Sequence, residues 1–316
     1  MIKRDAIIVG GGPAGAACAW RLQRFGVDTL ILDQAEFPRA KPCAGWVTPQ
    51  VFKSLEIAPE DYPFGLTKFT SFKISLRGIK FRLPTLQYAI RRIEFDNWLL
   101  TRSEAKITQH RVVDIQPMAD GYRIDEKFSA KYLIGAGGTH CPVRRLLFEP
   151  HQQTKKTSLI IAREEEFRYP IIDDRCHLWF FSHGLPGYAW YLPKTGGYLN
   201  VGIGASASGL KARGETLDQH WHKLSAHLQS SGLVFDHEFN PKGYSYYLRG
   251  KSMKIRHGNA LLVGDALGLA TRDMGEGIGA AIHSGLAAAN SIAEGVDYSI
   301  SRIPRFSLPS LLRLRP

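Results

Sequence analysis

Cysteine is scarce in this chain: Cys18, Cys43, Cys141 and Cys176 are the only four among 316 residues, and none forms a C-x-x-C pair. That spacing excludes a zinc ribbon or a disulfide framework and points to reduced thiols with no bound metal. Long apolar runs are missing too. No segment reaches the roughly 18 apolar residues of a membrane-spanning helix. Acidic residues are in deficit, with 29 Asp and Glu against 41 Lys and Arg, a formal charge of +12. The imbalance favours an anionic partner such as a phosphorylated cofactor or an acidic lipid surface. No nucleic-acid-binding motif accompanies it, so no nucleic acid is expected. The basic residues of MIKRDAIIVGGGPAG precede an apolar stretch too short for a signal peptide, and the chain reads as cytoplasmic.

What is present is a globular composition, 44% hydrophobic and 22% charged, in a length suited to one large or two joined domains. Asp5–Val9 is an apolar run of strand type, followed at once by Gly10-Gly-Gly-Pro13-Ala14-Gly15. Residues 16–25 then read as a helix, 27–32 as a second strand, and Asp33 closes the unit. This is the order of a dinucleotide site. Gly10 permits the tight turn, Gly12 lets backbone approach a pyrophosphate, and Gly15 lets helix and strand pack. The helix N-terminus beyond Pro13 and Ala14 offers amides to phosphate. Asp33, 18 residues past Gly15, is placed for ribose hydroxyls. The loop alone does not separate FAD from NAD.

Three later stretches do. The first, residues 92–99, reads R-I-E-F-D-N-W-L and resembles the R-x-x-F-D-x-x-L pattern of group-A flavoprotein monooxygenases and their relatives. That resemblance implies that Arg92 faces the cofactor, where a planar permanent cation suits phosphate or ribityl oxygens. The second, Y-L-I-G-A-G-G-T-H-C-P-V-R-R at 132–145, is similar to the second dinucleotide fingerprint, around Gly138. Gly137 and Cys141 replace its usual Asp and Ser, while Arg144 is retained. The third runs a strand into Gly264-Asp265 and then G-E-G-I at 275–278. By the same resemblance Asp265 accepts from ribityl hydroxyls, and the helix opened by Gly275, Gly277 and Ile278 meets the flavin edge that gathers charge on reduction. FAD is therefore the expected cofactor. Arg272 stands either near the ring or in a surface turn with Asp273.

Two further stretches narrow the family. P-C-A-G-W-V-T-P at 42–49 resembles the P-x-C-x-G-x-x-x-P segment of geranylgeranyl reductases, and Y-A-W-Y-L-P at 188–193 resembles their Y-x-W-x-F-P motif, with Leu192 for Phe. The resemblance implies reduction of carbon–carbon double bonds in a prenyl lipid or other apolar small molecule by hydride from flavin N5. It sets Cys43, Ala44 and Gly45 beside the cofactor, and Cys43, Tyr188 and Trp190 beside the substrate. An external electron donor, NADPH or a ferredoxin-type protein, is implied. The proton comes from Tyr188, Cys43 or water, and the sequence does not choose. By alternation Tyr188, Trp190 and Leu192 share one face of a strand, either as core or as the wall of an apolar slot.

The expected fold class is mixed α/β: a Rossmann-type FAD-binding domain (1–65, 91–156 and 251–296) interrupted by an antiparallel-sheet substrate domain (66–90 and 157–250), as in para-hydroxybenzoate hydroxylase. Residues 215–231 read as an amphipathic helix whose His220, His222 and His227 lack the H-E-x-x-H spacing. A basic tail, 297–316, suits either an anionic membrane surface or a frayed end. A flavin monooxygenase or halogenase and a non-catalytic flavin-binding membrane-surface protein are the rival readings.

Overall fold

The computed structural model describes residues 1–149, 159–250 and 254–312. The chain forms two compact units, one of Met1–Ala40, Ile93–Lys155 and Tyr247–Ser307, the other of Lys41–Arg92, Lys156–Tyr246 and Leu308–Pro316.

In the first unit the strand Ile2–Val9 lies between Thr29–Asp33 and Phe128–Gly135, parallel to both. Lys106–Gln109 and Ala260–Leu262 extend the parallel sheet on either side, and the hairpin Ile115–Met118/Gly121–Ile124 joins it through Phe128–Gly135. The central strands are apolar runs rather than alternating ones: Ala6 to Val9 and Thr29 to Asp33 are buried throughout. Parallel strands covered on both faces require this. Helix Pro13–Arg24 packs on helix Ile278–Glu294, where a β-carbon on Gly285 would overlap the Ala14 carbonyl oxygen. The first helix begins at Pro13, earlier than residue 16, because proline is tolerated where no intrahelical amide bond is needed.

The second unit carries an eight-stranded sheet among the described residues. Its order is Lys242–Tyr247, Leu159–Arg168, Tyr198–Ser206, Gly187–Lys194, Cys176–Phe180, Thr67–Leu76, Ile79–Ala89 and Trp46–Val47. Cys176–Phe180 runs parallel to Thr67–Leu76, and the pairs on either side of it are antiparallel. Helices Ala207–Arg213 and Leu217–Ser230 belong to this unit, the latter held at its start by a capping box between Thr216 and Gln219. Tyr191, Leu199, Val201 and Ile203 pack with Trp221, Leu224 and Leu228 in one apolar cluster. Since successive side chains alternate, Tyr188, Trp190 and Leu192 occupy the other face.

The boundaries differ from the expected ones. Residues 41–65 lie in the second unit, because Trp46 and Val47 pair with Ala89 and Tyr88. Arg91 and Arg92 go with them. Residues 297–307 lie in the first unit, where the Tyr298 hydroxyl donates to the Leu262 carbonyl at 2.6 Å. The expected divisions at 156/157 and 250/251, and the end of the basic tail, fall on 150–158, 251–253 and 313–316, outside the described residues.

Candidate active site

In the first unit the C-terminal ends of the parallel strands converge on one set of turns, which is where open α/β sheets bind ligands. Val9 leads into Gly10, whose φ of +114° and closeness to the Ala136 carbonyl exclude any side chain. A β-carbon on Gly15 would overlap the Gly10 carbonyl oxygen, so close helix–strand packing needs glycine there. At Gly12 the β-position is open, with only the Arg39 Nη2 at 3.5 Å. Helix Pro13–Arg24 starts at Gly12 without a side-chain cap. An uncapped helix start beneath an open glycine is an anion cradle. Arg39 adds a cation that the sequence reading missed; its guanidinium lies 3.7 Å from the buried Asp96 carboxylate and 4.8 Å from the Phe37 ring centroid.

Asp33 is buried and braces the loop from within, accepting from the Gly11 amide at 2.7 Å and from the Ala35 amide at 2.9 Å. The turns Gly138–His140 and Gly264–Ala266 lie against each other at the ends of their strands. Gly264 is fixed by its amide donating to Ser284 Oγ at 2.9 Å. Helix Ile278–Glu294 also starts without a side-chain cap, at Gly277, and the Asp265 Oδ1 lies 3.5 Å from that glycine's β-position. Asp265 thus offers a carboxylate to a polyol chain beside the positive end of a helix, whose Gly279 amide donates to Glu276 Oε1 at 2.6 Å. Gly275 belongs to a turn in which Thr271 Oγ1 accepts from the Glu276 amide at 3.0 Å. Burial pushes the Glu276 carboxyl up to about 7. Arg272 is exposed, and its backbone amide donates to the Arg305 carbonyl at 2.9 Å.

The other named residues belong to the second unit. Arg92 opens helix Arg92–Arg102 and is buried. The Cys43–Gly45 loop is pinned to the sheet: the Gly45 carbonyl accepts from Ile90 N at 2.9 Å, and Gly45 has a φ of +78° with its β-position against the Ile90 carbonyl. Ala44 is half-buried, and the Cys43 Sγ accepts from the Gly45 amide at 3.4 Å.

On the sheet face away from the Tyr191 cluster, Trp190 lies across Gly202, whose β-position the indole itself occupies. Its Nε1 donates to Asn200 Oδ1 at 2.7 Å. Asn200 Nδ2 in turn donates to Glu164 Oε1 at 3.4 Å, and the Cys43 amide donates to the same oxygen. Half-buried Tyr188 stands 5.7 Å from Trp190 and 5.3 Å from Phe180, centroid to centroid. A second set of charges follows on this face: Lys194 Nζ lies 2.6 Å from Glu166 Oε2, and Arg91 Nε lies 2.8 Å from Glu166 Oε1.

The two glutamates titrate apart. Burial pushes Glu164 up to about 7, against the pull of Lys194, the Cys43 amide and Asn200. Burial acts on Glu166 too, but Lys194 and Arg91 outweigh it and hold that carboxyl below its ordinary value. Two carboxyls separated in this way divide into an acid and a permanent anion. Neither was singled out from the sequence. The signal available was parity: Glu164 and Glu166 share one face of their strand, and Asn200 is a buried polar residue in the otherwise apolar run 199–203.

Residues 8–43 match the NAD(P)-binding Rossmann-like domain family. The chain is 30% identical to an uncharacterized protein of Methanosarcina barkeri over 95% of its own length and 77% of that protein's. It is 26% identical to digeranylgeranylglycerophospholipid reductase 2 of Methanopyrus kandleri, over 96% of this chain and 81% of the other. Among solved structures, a geranylgeranyl bacteriochlorophyll reductase-like protein from Thermoplasma acidophilum superposes with a TM-score of 0.81 at 21% identity, covering 93% of this chain and 79% of that one.

Proposed function

The chain belongs to the geranylgeranyl reductase family of FAD-dependent oxidoreductases, and on that premise we propose that it reduces carbon–carbon double bonds of a prenyl lipid. The observation that carries this reading is the aromatic face of the second unit. Trp190, 3% exposed, uses its one polar hydrogen on Asn200, so its indole adds only carbon to the face on which half-buried Tyr188 stands. An isolated alkene offers no hydrogen-bonding group, and an apolar wall of this kind is the surface that would hold it.

FAD, when bound and reduced, supplies hydride from N5. The chain supplies the rest. Gly12, the uncapped helix start and Arg39 hold the pyrophosphate; Asp265 holds ribityl hydroxyls; the Gly277–Ile278 helix start faces developing negative charge. Arg92, Cys43, Ala44 and Gly45 are proposed to complete the cofactor contacts, with Tyr188 and Trp190 orienting the prenyl chain. Electrons are renewed by an external donor, NADPH or a ferredoxin-type protein.

A lipid substrate also needs a route from its bilayer. No helix among the described residues is long and apolar enough to cross a membrane. We propose that peripheral contact is made by the hairpin around Arg77-Gly78. A row of paired residues, Tyr188, Phe180, Leu76 and Ile79, runs across the sheet to its tip. There Ile79 is 70% exposed and Phe81 45%, beside Arg77, Lys80 and Arg82. Apolar side chains ringed by cations suit an anionic lipid surface.

Anaerobic incubation of the photoreduced protein with prenyl phospholipids and prenylated quinones tests the reading. The expected result is flavin reoxidation with a gain of two hydrogens per bond reduced, read by mass spectrometry. Flavin that stays reduced with every prenyl lipid sinks it.

A further inference from the structure

The conserved chemistry of an alkene reduction leaves one atom unassigned, because hydride satisfies one carbon and a proton must reach the other. The geometry points to Glu164 as the donor of that proton. This inference rests on the reductase reading above.

The placement comes from strand register. Glu164 pairs with Gly202, and Gly202 pairs with Trp190, so the three lie in one row across adjacent strands. Gly202 has no side chain, and the Trp190 indole fills its place. The carboxyl and the aromatic wall are therefore neighbours on one face. Glu164 is 4% exposed. Its Oε1 is occupied by the Cys43 amide and Asn200, while its Oε2 is buried with no hydrogen-bond partner. A buried carboxyl oxygen without a partner costs free energy as an anion and much less as an acid. Protonated on Oε2, Glu164 carries one O–H that no group among the described residues receives. The two hydrogen bonds at Oε1 fix the plane of the group, so that proton has a defined direction.

Among the described residues the charged and titratable groups around it are Tyr244 on the adjacent strand Lys242–Tyr247, Glu166 on its own strand, Lys194 and Tyr188 on Gly187–Lys194 two strands away, and Cys43 on the pinned loop. Glu166 is engaged by Lys194 and Arg91, which leaves Glu164 the carboxyl that exchanges a proton near neutral pH. Tyr244 is held well above its ordinary value by burial, with Glu164, Cys43, Tyr246 and Tyr188 adding to the effect, so it is the poorer acid.

The step balances. Hydride from the reduced cofactor forms a C–H bond at one alkene carbon and brings both electrons. The Glu164 O–H bond breaks and a C–H bond forms at the other carbon. The alkene is reduced, the cofactor is oxidised, and Glu164 remains as a carboxylate that takes a proton back from solvent.

The test uses the FAD-loaded protein and two readouts. Infrared difference titration of the wild type should show a carboxylic-acid carbonyl band lost as pH rises through about 7. Glu276 is pushed to the same value, so the band should shrink in Glu164→Gln, shift in part in Glu164→Asp, and vanish only in the Glu164→Gln/Glu276→Gln double variant. Glu165→Gln is the control, since Glu165 lies on the opposite face, bonded to His237 at 3.0 Å and to the Asn240 amide at 2.6 Å. In single turnover with a prenyl lipid, Glu164→Gln should slow flavin reoxidation by about 10²–10⁴-fold, with Glu164→Asp intermediate and Glu165→Gln at the wild-type rate. A wild type that reoxidises while Glu164→Gln keeps pace within about threefold overturns the assignment alone, by comparison with that expected loss. So does an acid band that is undiminished in Glu164→Gln. A wild type that never reoxidises removes the reductase reading, and the proton donor with it.

Discussion

Glu164 and Glu166 stand two positions apart on one strand, yet their surroundings make them different groups. Glu166 keeps its charge because Lys194 and Arg91 meet both of its oxygens. Glu164 shares an amide and a carboxamide at one oxygen and nothing at the other. The difference has a consequence for stability. Below about 4.5 the carboxyl is protonated in the folded and unfolded chain alike, so the contribution is complete there. Between 4.5 and about 7 the unfolded chain has lost its proton and the folded one has not, so stability falls as pH rises across that window. Glu164→Gln should flatten the fall between pH 5 and 8 by about 1–3 kcal/mol. Thermal denaturation at a series of pH values measures it. Glu276, pushed the same way to about 7, leaves a residual slope in the variant.

At the scale of elements, packing of two kinds is set by the absence of a side chain. Helix Ile278–Glu294 can lie on helix Pro13–Arg24 only because Gly285 lets the Ala14 carbonyl approach. Gly285→Ala should therefore push the helices apart, lowering stability by about 1–3 kcal/mol and weakening FAD retention, as measured by chemical denaturation and by cofactor fluorescence after gel filtration. Gly202 makes the same allowance for the Trp190 indole. Gly202→Val should dislodge the indole and release its bond to Asn200, read as a red shift in tryptophan emission. Much of this was legible in advance. The glycine loop, the strand into Gly264-Asp265 and the alternating aromatics are local signals, with spacing that one element can satisfy. The helix 215–231 was legible for the same reason, and forms as Leu217–Ser230. Arg39, Glu164 and Asn200 were not. Their roles depend on register between strands or loops far apart in the chain, and periodicity along one strand does not encode which residue stands opposite. The place of residues 41–65 was missed likewise, because two residues, Trp46 and Val47, decide it by pairing with Tyr88 and Ala89.

For the molecule as a whole, the proposed membrane contact draws on both the charge of +12 and the hairpin tip. Apolar insertion by Ile79 and Phe81 is insensitive to salt, whereas attraction through Arg77, Lys80 and Arg82 is screened by it. Sedimentation with vesicles containing anionic lipid should show binding that weakens as salt rises and is largely lost in Ile79→Asp/Phe81→Asp. Neutral vesicles should bind poorly at any salt. Binding that persists unchanged in the double variant assigns the contact elsewhere on the chain. Cofactor exchange is a separate whole-molecule property, and it follows from Asp33. That carboxylate holds the amides of Gly11 and Ala35 using nothing but the polypeptide. The curvature of the glycine turn is thus set by the polypeptide itself. Protein stripped of FAD by concentrated bromide should refill at a pace governed by collision with the nucleotide, and swapping Asp33 for alanine should turn that quick recharge into a sluggish one.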